Sequence, residues 1–256
     1  MEYNGSSYHG WQVQKNAPSI QEKLEAALER LTGNRMRVRG AGRTDSGVHA
    51  RGQTAAFPLP DSIPLQNIPA ALNTRLPADI AVVDACEAAA DFDPRRHCLL
   101  KQYSYSFTSG PIRPALGSRH SWHVKWPLEW ERMRWAAHRF LGTHDFTSFC
   151  NQELAGRDNV RTVDRCELVT LPPDPAGRLR HVLYVEGKSF LYNMVRAIAG
   201  TLVGVGTGRF SPEDINAILN ARERAKAGQS APACGLCLEW TLYDGDSRPD
   251  DRGGLF

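Results

Sequence analysis

Ten residues, GAGRTDSGVH at positions 40–49, constrain the chain most: three glycines, an arginine and an aspartate lie between two strand-like segments, MRVRG and GQTAAF. Glycine belongs where a backbone turns sharply or must sit close to something, so the segment reads as a tight connection between strands. Polar groups this dense, with His49 following, also look like a site held on a rigid scaffold.

Local signals place the elements around it. PSIQE at 18–22 holds a capping box, Ser19 with Glu22 three residues later. Ile20, Leu24, Ala27, Leu28 and Leu31 then share one helical face, and Gly33 is a natural stop. A short helix around 65–74 precedes Pro77 and the strand IAVVDACE. The first part thus runs strand, helix, strand, strand, helix, strand, with its first strand barely present.

A polar, proline-containing stretch at 91–96 separates this unit from the rest, giving domains 1–96 and 97–256. LLKQYSYSF at 99–107 reads as a strand whose tyrosines, 103 and 105, share a face. Residues 109–127 form an irregular excursion, followed by a helix over 128–141 with Met133, Ala137, Phe140 and Leu141 inward. VDRCELVTL, the turn PPDPAG and RLRHVLYVEG make a hairpin. A helix over 190–205 follows, then one opened by Ser211 and Pro212, then the strand GLCLEWTLY. Sheet plus two helices, twice over, is an α+β architecture of two related α/β halves built on antiparallel sheets.

At 256 residues the chain has room for two domains of roughly 100–150 residues. Its apolar stretches, such as MVRAIAGTLVGVG, are too short to span a bilayer, and no signal peptide opens it, so the expected compartment is the cytoplasm. Net charge is only +3, yet 25 of the 31 basic residues are arginine. That bias suits phosphate contact, and it equally suits the codon usage of a GC-rich genome. Cys234 and Cys237 form a lone C-x-x-C without a second pair, pointing to structural thiols over a metal or redox site. With no metal-ligand spacing, phosphate loop or dinucleotide fingerprint, no cofactor is expected; GVGTGRF at 204–210 has glycines but lacks a preceding strand.

Three candidate residues have open readings. Asp45 is either a turn residue bonding its own backbone or a reactive carboxylate, which Arg43 two residues away can hold ionised. DSG at 45–47 also matches half of an aspartic-protease dyad, but no second copy exists and a neighbouring arginine opposes a shared proton. Tyr103 is either an ordinary strand aromatic or a platform for an extruded base, with Lys101 beside it for a phosphate. Arg196, on an otherwise apolar helix, either snorkels to solvent or pairs with an anionic group.

GAGRTDSGVHARGQ resembles the signature of the tRNA pseudouridine synthase A (TruA-type) family, and EYNGSSYHGWQVQ, KQYSYSF, HDFTSFC, FLYNMVRAIAG and APACGLCLEW match it too. The resemblance implies isomerisation of uridine to pseudouridine at positions 38–40 of the tRNA anticodon stem-loop, without a cofactor or metal. It implies two α/β halves joined at a central cleft in a homodimer. On it Asp45 is the catalytic residue, and Tyr103 stacks on the target uracil and assists proton removal. Arg43 and Arg196 serve the substrate site, Arg196 by pairing with the catalytic carboxylate, and Leu236 lies in the pocket wall. Family members carry an aspartate where Asn4 stands and a further apolar segment before it, so most of strand one is expected upstream of Met1, beyond a start assigned too late. An inactive tRNA-binding protein of the same fold is the alternative.

Overall fold

A computed structural model describes residues 1–59, 63–151, 158–173 and 177–249. The chain divides into two compact units, Met1–Leu99 with Leu238–Pro249, and Leu100–Cys237. The last strand therefore returns its residues to unit 1, whereas the sequence boundary after 96 assigns them to unit 2. The fold class is α+β with antiparallel sheets, as expected.

Unit 1 contains β1 (Glu2–Tyr3), α1 (Ile20–Thr32), β2 (Arg39–Gly40), β3 (His49–Ala50), β4 (Ala55–Ala56), α2 (Ile68–Asn73) and β5 (Ile80–Ala81). β1 is short but internal, pairing antiparallel with β3 through Tyr3↔Ala50 and with β5 through Tyr3↔Ile80. β2 and β4 form a separate ribbon across the glycine-rich segment. α1 starts on the expected capping box, the Glu22 N–H donating to Ser19 Oγ at 3.3 Å, and ends on Gly33 at φ 73°. Its apolar face of Ile20, Leu24, Ala27 and Leu28 is buried. The strand expected over IAVVDACE stops after Ala81, where the Asn73 side chain takes over both backbone groups of Val82 and leaves Val83 exposed.

Unit 2 contains β6 (Leu100–Ser109), β7 (Trp122–Val124), α3 (Trp130–Ala137), β8 (Gly142–Asp145), β9 (Val160–Val163), β10 (Arg165–Leu171), β11 (Arg180–Gly187), α4 (Met194–Gly206) and α5 (Asp214–Ala221). The tenth element, β12 (Leu236–Leu242), begins here and continues into unit 1 beside β3. β10, β11 and β6 pair antiparallel in that order, with Cys166↔Val185↔Tyr103 in register. Part of the hairpin turn, residues 174–176, lies outside the described residues. The excursion at 109–127 is less irregular than its composition suggests, because β7 returns parallel to β6. Helix α3 breaks at Ala137 into a 3-10 turn; Met133, Ala137 and Phe140 are buried as expected, but Leu141, beyond the break, is 41% exposed. Ser211 and Asp214 bond each other's backbone N–H reciprocally, so α5 begins one turn after the expected cap.

His181, 2% exposed, stacks on Trp130 at 3.4 Å between centroids and bonds Thr170 Oγ1 through Nδ1 at 3.0 Å. Burial, and then the Arg134 charge, push its pKa from 6.5 down to about 4. The unfolded chain therefore binds the extra proton first, and stability falls as the pH drops through that interval. Urea unfolding at pH 7 and pH 4 should show this as a loss of up to about 3 kcal/mol, which His181→Gln flattens.

Candidate functional site

In unit 1 the candidate carboxylate sits on a loop whose backbone is bonded nearly residue by residue. Ala41 N–H donates to Thr54 O at 2.9 Å, and Gln53 Nε2 donates to Gly42 O at 2.9 Å. Thr44 O accepts from the Trp11 N–H at 3.0 Å, and Thr44 Oγ1 lies 2.9 Å from the Tyr3 hydroxyl. Val48 N–H closes a turn onto Asp45 O at 3.1 Å, with Gly47 at φ 78° supplying the left-handed position of a type II turn. Gly47 N–H and Ser46 Oγ both reach Tyr8 O, at 3.2 and 3.3 Å.

The clamp on this loop is the segment 5–11, which needs its glycines. A Cβ on Gly10, itself at φ 92°, would strike Thr44 O, and one on Gly5 would strike Val48 O. The same segment is tied to α1, whose Ile20 and Gln21 N–H groups donate to Gly10 O and Trp11 O at 3.2 and 3.0 Å. It is also tied to Asp79, which accepts from the Tyr8 hydroxyl at 2.6 Å. Burial first, then this bond, raise the Tyr8 pKa. His49, 1% exposed, accepts the Gly5 N–H at Nδ1, which fixes the protonation of that nitrogen. On this frame Asp45 is half-buried and Thr44 buried, while Arg43 is exposed with no hydrogen bond or ion pair among the described residues.

Unit 2 holds the other candidates. Tyr103, 8% exposed on β6, meets Phe190 edge-on at 5.1 Å. Lys101 on the same strand is buried, so it is no surface anchor for phosphate. Arg196 is half-buried near the start of α4; its Nε donates to Ala231 O and its Nη1 to Asn193 Oδ1, both at 2.8 Å. Asn193 holds the left-handed conformation at φ 65° that lets the chain turn into α4. The strap at 228–231 is sewn onto this helix: Gly228 N–H donates to Thr201 Oγ1, Ala231 N–H donates to Arg196 O, and a Cβ on Gly200 would strike Gln229 O. The strap continues to Pro232, whose carbonyl accepts from Tyr105 at 2.7 Å, and then to the buried Leu236. Burial raises the pKa values of Tyr105 and of the Cys234 thiol. Among the described residues no disulfide joins the six cysteines, and no group of three potential ligands could hold a metal ion.

The profile of the family described as tRNA pseudouridine synthase matches residues 1–95 and 136–244. The chain belongs to this family. The match takes in Arg43, Asp45, Arg196 and Leu236, and leaves Tyr103 outside it. A tRNA pseudouridine synthase A from Pelobacter propionicus is 47% identical over 95% of this chain and 97% of its own length. The corresponding protein of Myxococcus xanthus is 44% identical over 95% of this chain and 90% of its own, and that of Clostridium kluyveri 43% over 95% and 97%. The reaction class is therefore isomerisation of uridine in tRNA. Sequence reasoning passed over Tyr8, Gln53 and Asn193 as site-building residues, although each lay inside a quoted family stretch, EYNGSSYHGWQVQ, GAGRTDSGVHARGQ and FLYNMVRAIAG respectively.

The Gly10–Thr44 approach has a direct test. Gly10→Ala puts a methyl group into Thr44 O at a left-handed φ, so it should cost at least 1–3 kcal/mol of backbone strain. Gly33→Ala shares the left-handed φ, 73°, but has nothing within 4 Å of its added Cβ, so a urea midpoint lowered further by Gly10→Ala than by Gly33→Ala would register the clash itself.

Proposed function

We propose that this chain converts uridine to pseudouridine at positions 38–40 of the tRNA anticodon stem-loop, with Asp45 as its catalytic carboxylate. The observation that carries the reading is Asp45 itself: half-buried, inside GRTDSGVHA, on a loop hydrogen-bonded on both sides of it through Gly42 O, Thr44 O, Gly47 N–H and Val48 N–H. The reaction needs no oxidant or external group. The C1′–N1 glycosidic bond breaks, the uracil turns, C5 bonds to C1′, the C5 proton leaves, and N1 gains one. A carboxylate assists by attacking the sugar or the base, or by taking a sugar proton, and each route begins from its ionised form. The rigid loop keeps it aimed while the base turns.

The target base must leave its stack at a cost of a few kcal/mol, which an aromatic platform and phosphate anchors offset. Tyr103 is that platform and assists removal of the C5 proton, Leu236 is an apolar wall, and Arg196 pairs with the anionic group of the site. Arg43, exposed and uncommitted among the described residues, suits a phosphate. The chain works as a cytoplasmic homodimer; among the described residues no helix is long and apolar enough to cross a membrane.

Tritium release from C5-labelled uridine in tRNA tests the assignment. The wild-type chain should release tritium, whereas Asp45→Asn should release none while still binding tRNA, and undiminished release by that variant would remove Asp45 from the chemistry. Binding should also weaken steeply with salt, as phosphate contacts require. Binding without release by the wild-type chain would mark it as the inactive tRNA-binding form of the fold.

A further inference from the structure

The motif GVGTGRF is not used by the reaction above, yet it forms one wall of a cavity of about 350 Å³ that lies wholly within unit 2. The other walls are β7 with the residues after it and the strap at 228–229. Six residues give the cavity its character: Trp122, Trp126, Lys125, Arg209, Thr207 and Gln229.

Trp122 is half-buried and held against the core through ring contacts with Tyr105 and Phe107 at 6.3 and 6.2 Å. Trp126, in contrast, is 63% exposed, so ring surface at the cavity is open to solvent. The Lys125 ammonium lies 5.5 Å from the Trp126 ring centroid, and Arg209 is exposed at the end of α4. The carbonyl of Gly204 at that helix end already accepts the Arg209 and Phe210 N–H groups at 2.8 and 3.2 Å. The charge at the mouth is therefore set by the two cations, and no carboxylate is among the lining residues. Gln229 is exposed and offers both donors and an acceptor, while the exposed Thr207 hydroxyl, which donates to Val203 O and Gly204 O, offers an acceptor.

An indole, two cations and a pair of neutral hydrogen-bonding side chains match a nucleotide: a face to stack, a phosphate to neutralise and a base edge to bond. The volume sits near the lower end of the roughly 300–1,000 Å³ typical of small-ligand sites, which suits one nucleotide and excludes a helix. Two uncompensated cations argue against an apolar protein surface as the occupant. We propose that this cavity is a subsite for a single unpaired nucleotide of the tRNA, its base on Trp126 and its phosphate at Lys125 and Arg209. The inference rests on the tRNA reading above but on none of the residues assigned to the reaction.

Steady-state kinetics and equilibrium binding with full-length tRNA decide it. Trp126→Ala should raise both KM and Kd about tenfold with kcat unchanged, as removal of one stacked base does. Trp126→Phe, which keeps a stacking face, should restore most of that affinity. Lys125→Gln with Arg209→Gln should lower the slope of log Kd against log salt by about 0.7 for each phosphate no longer neutralised. Unchanged KM and Kd in Trp126→Ala would overturn the subsite. So would a changed subunit association at unaltered tRNA affinity, which would assign the cavity to a protein contact. A wild-type chain that binds tRNA but releases no tritium overturns the assigned reaction alone, because the binding series still decides the subsite.

Discussion

A carbonyl oxygen packed where a side chain would otherwise stand governs unit 1. Thr44 O lies against Gly10 so closely that no Cβ fits between them, and the Trp11 N–H bonds that same oxygen. Two consequences follow from one contact. The backbone on either side of Asp45 is held from the 5–11 segment rather than from its own short strands, which have only two residues each. The segment in turn inherits its rigidity from α1, because the first N–H groups of that helix, which lack partners inside it, donate to Gly10 O and Trp11 O. Helix, clamp and loop form one hydrogen-bonded series, and a carboxylate mounted at its end cannot wander.

Unit 2 solves a similar problem with different parts. Arg196 must present a charge from a helix whose other residues are almost all buried. Its guanidinium is bracketed by Asn193 Oδ1 and Ala231 O, one before it in the chain and one across the strap. The strap can lie that close because Gly200 and Gly228 leave no side chains between it and α4. The glycine-rich look of MVRAIAGTLVGVG, which weakens a helix on propensity alone, is thus a packing requirement. Buried apolar contacts along α4 outweigh that cost.

Capping box, glycine stops and alternation placed α1, β6, the β10–β11 hairpin and β12 from sequence, since those signals are local. The misreadings share a cause. Strand IAVVDACE ends early because Asn73, eight residues before Ala81, takes the backbone groups of Val82, a contact with no periodic trace. β7 was invisible because a three-residue parallel strand beside β6 carries no pattern of its own. Lys101 read as an anchor because charge suggests a surface, yet it sits on a strand buried along nearly its whole length. For the site, composition made Asp45 no more than a candidate. The full string GRTDSGVHA carries the role proposed for it, and the clamp that holds it became visible only when residues 5–11 were seen against the loop.

The arginine surplus also acquires a sharper meaning. Several guanidiniums are structural: Arg134 bonds Leu168 O, Arg165 joins Glu167 and Glu186, and Arg224 bonds Gly228 O and Ser230. A planar fork with five donors suits such work, because it satisfies carbonyls and carboxylates that a lysine would reach singly. Counting arginines therefore overstates the charge available to RNA, and codon usage need not be invoked for those that the fold itself employs. What an RNA meets are the exposed cations, and they differ in setting. Arg43 stands beside the Asp45 loop, whereas Lys125 and Arg209 flank an exposed indole in the other unit. On the proposed readings, the charge near the carboxylate positions the reacting nucleotide and the charge near the aromatic face holds one that does not react. The two clusters are thereby separable by kinetics, the first expressed in the chemical step and the second in affinity alone.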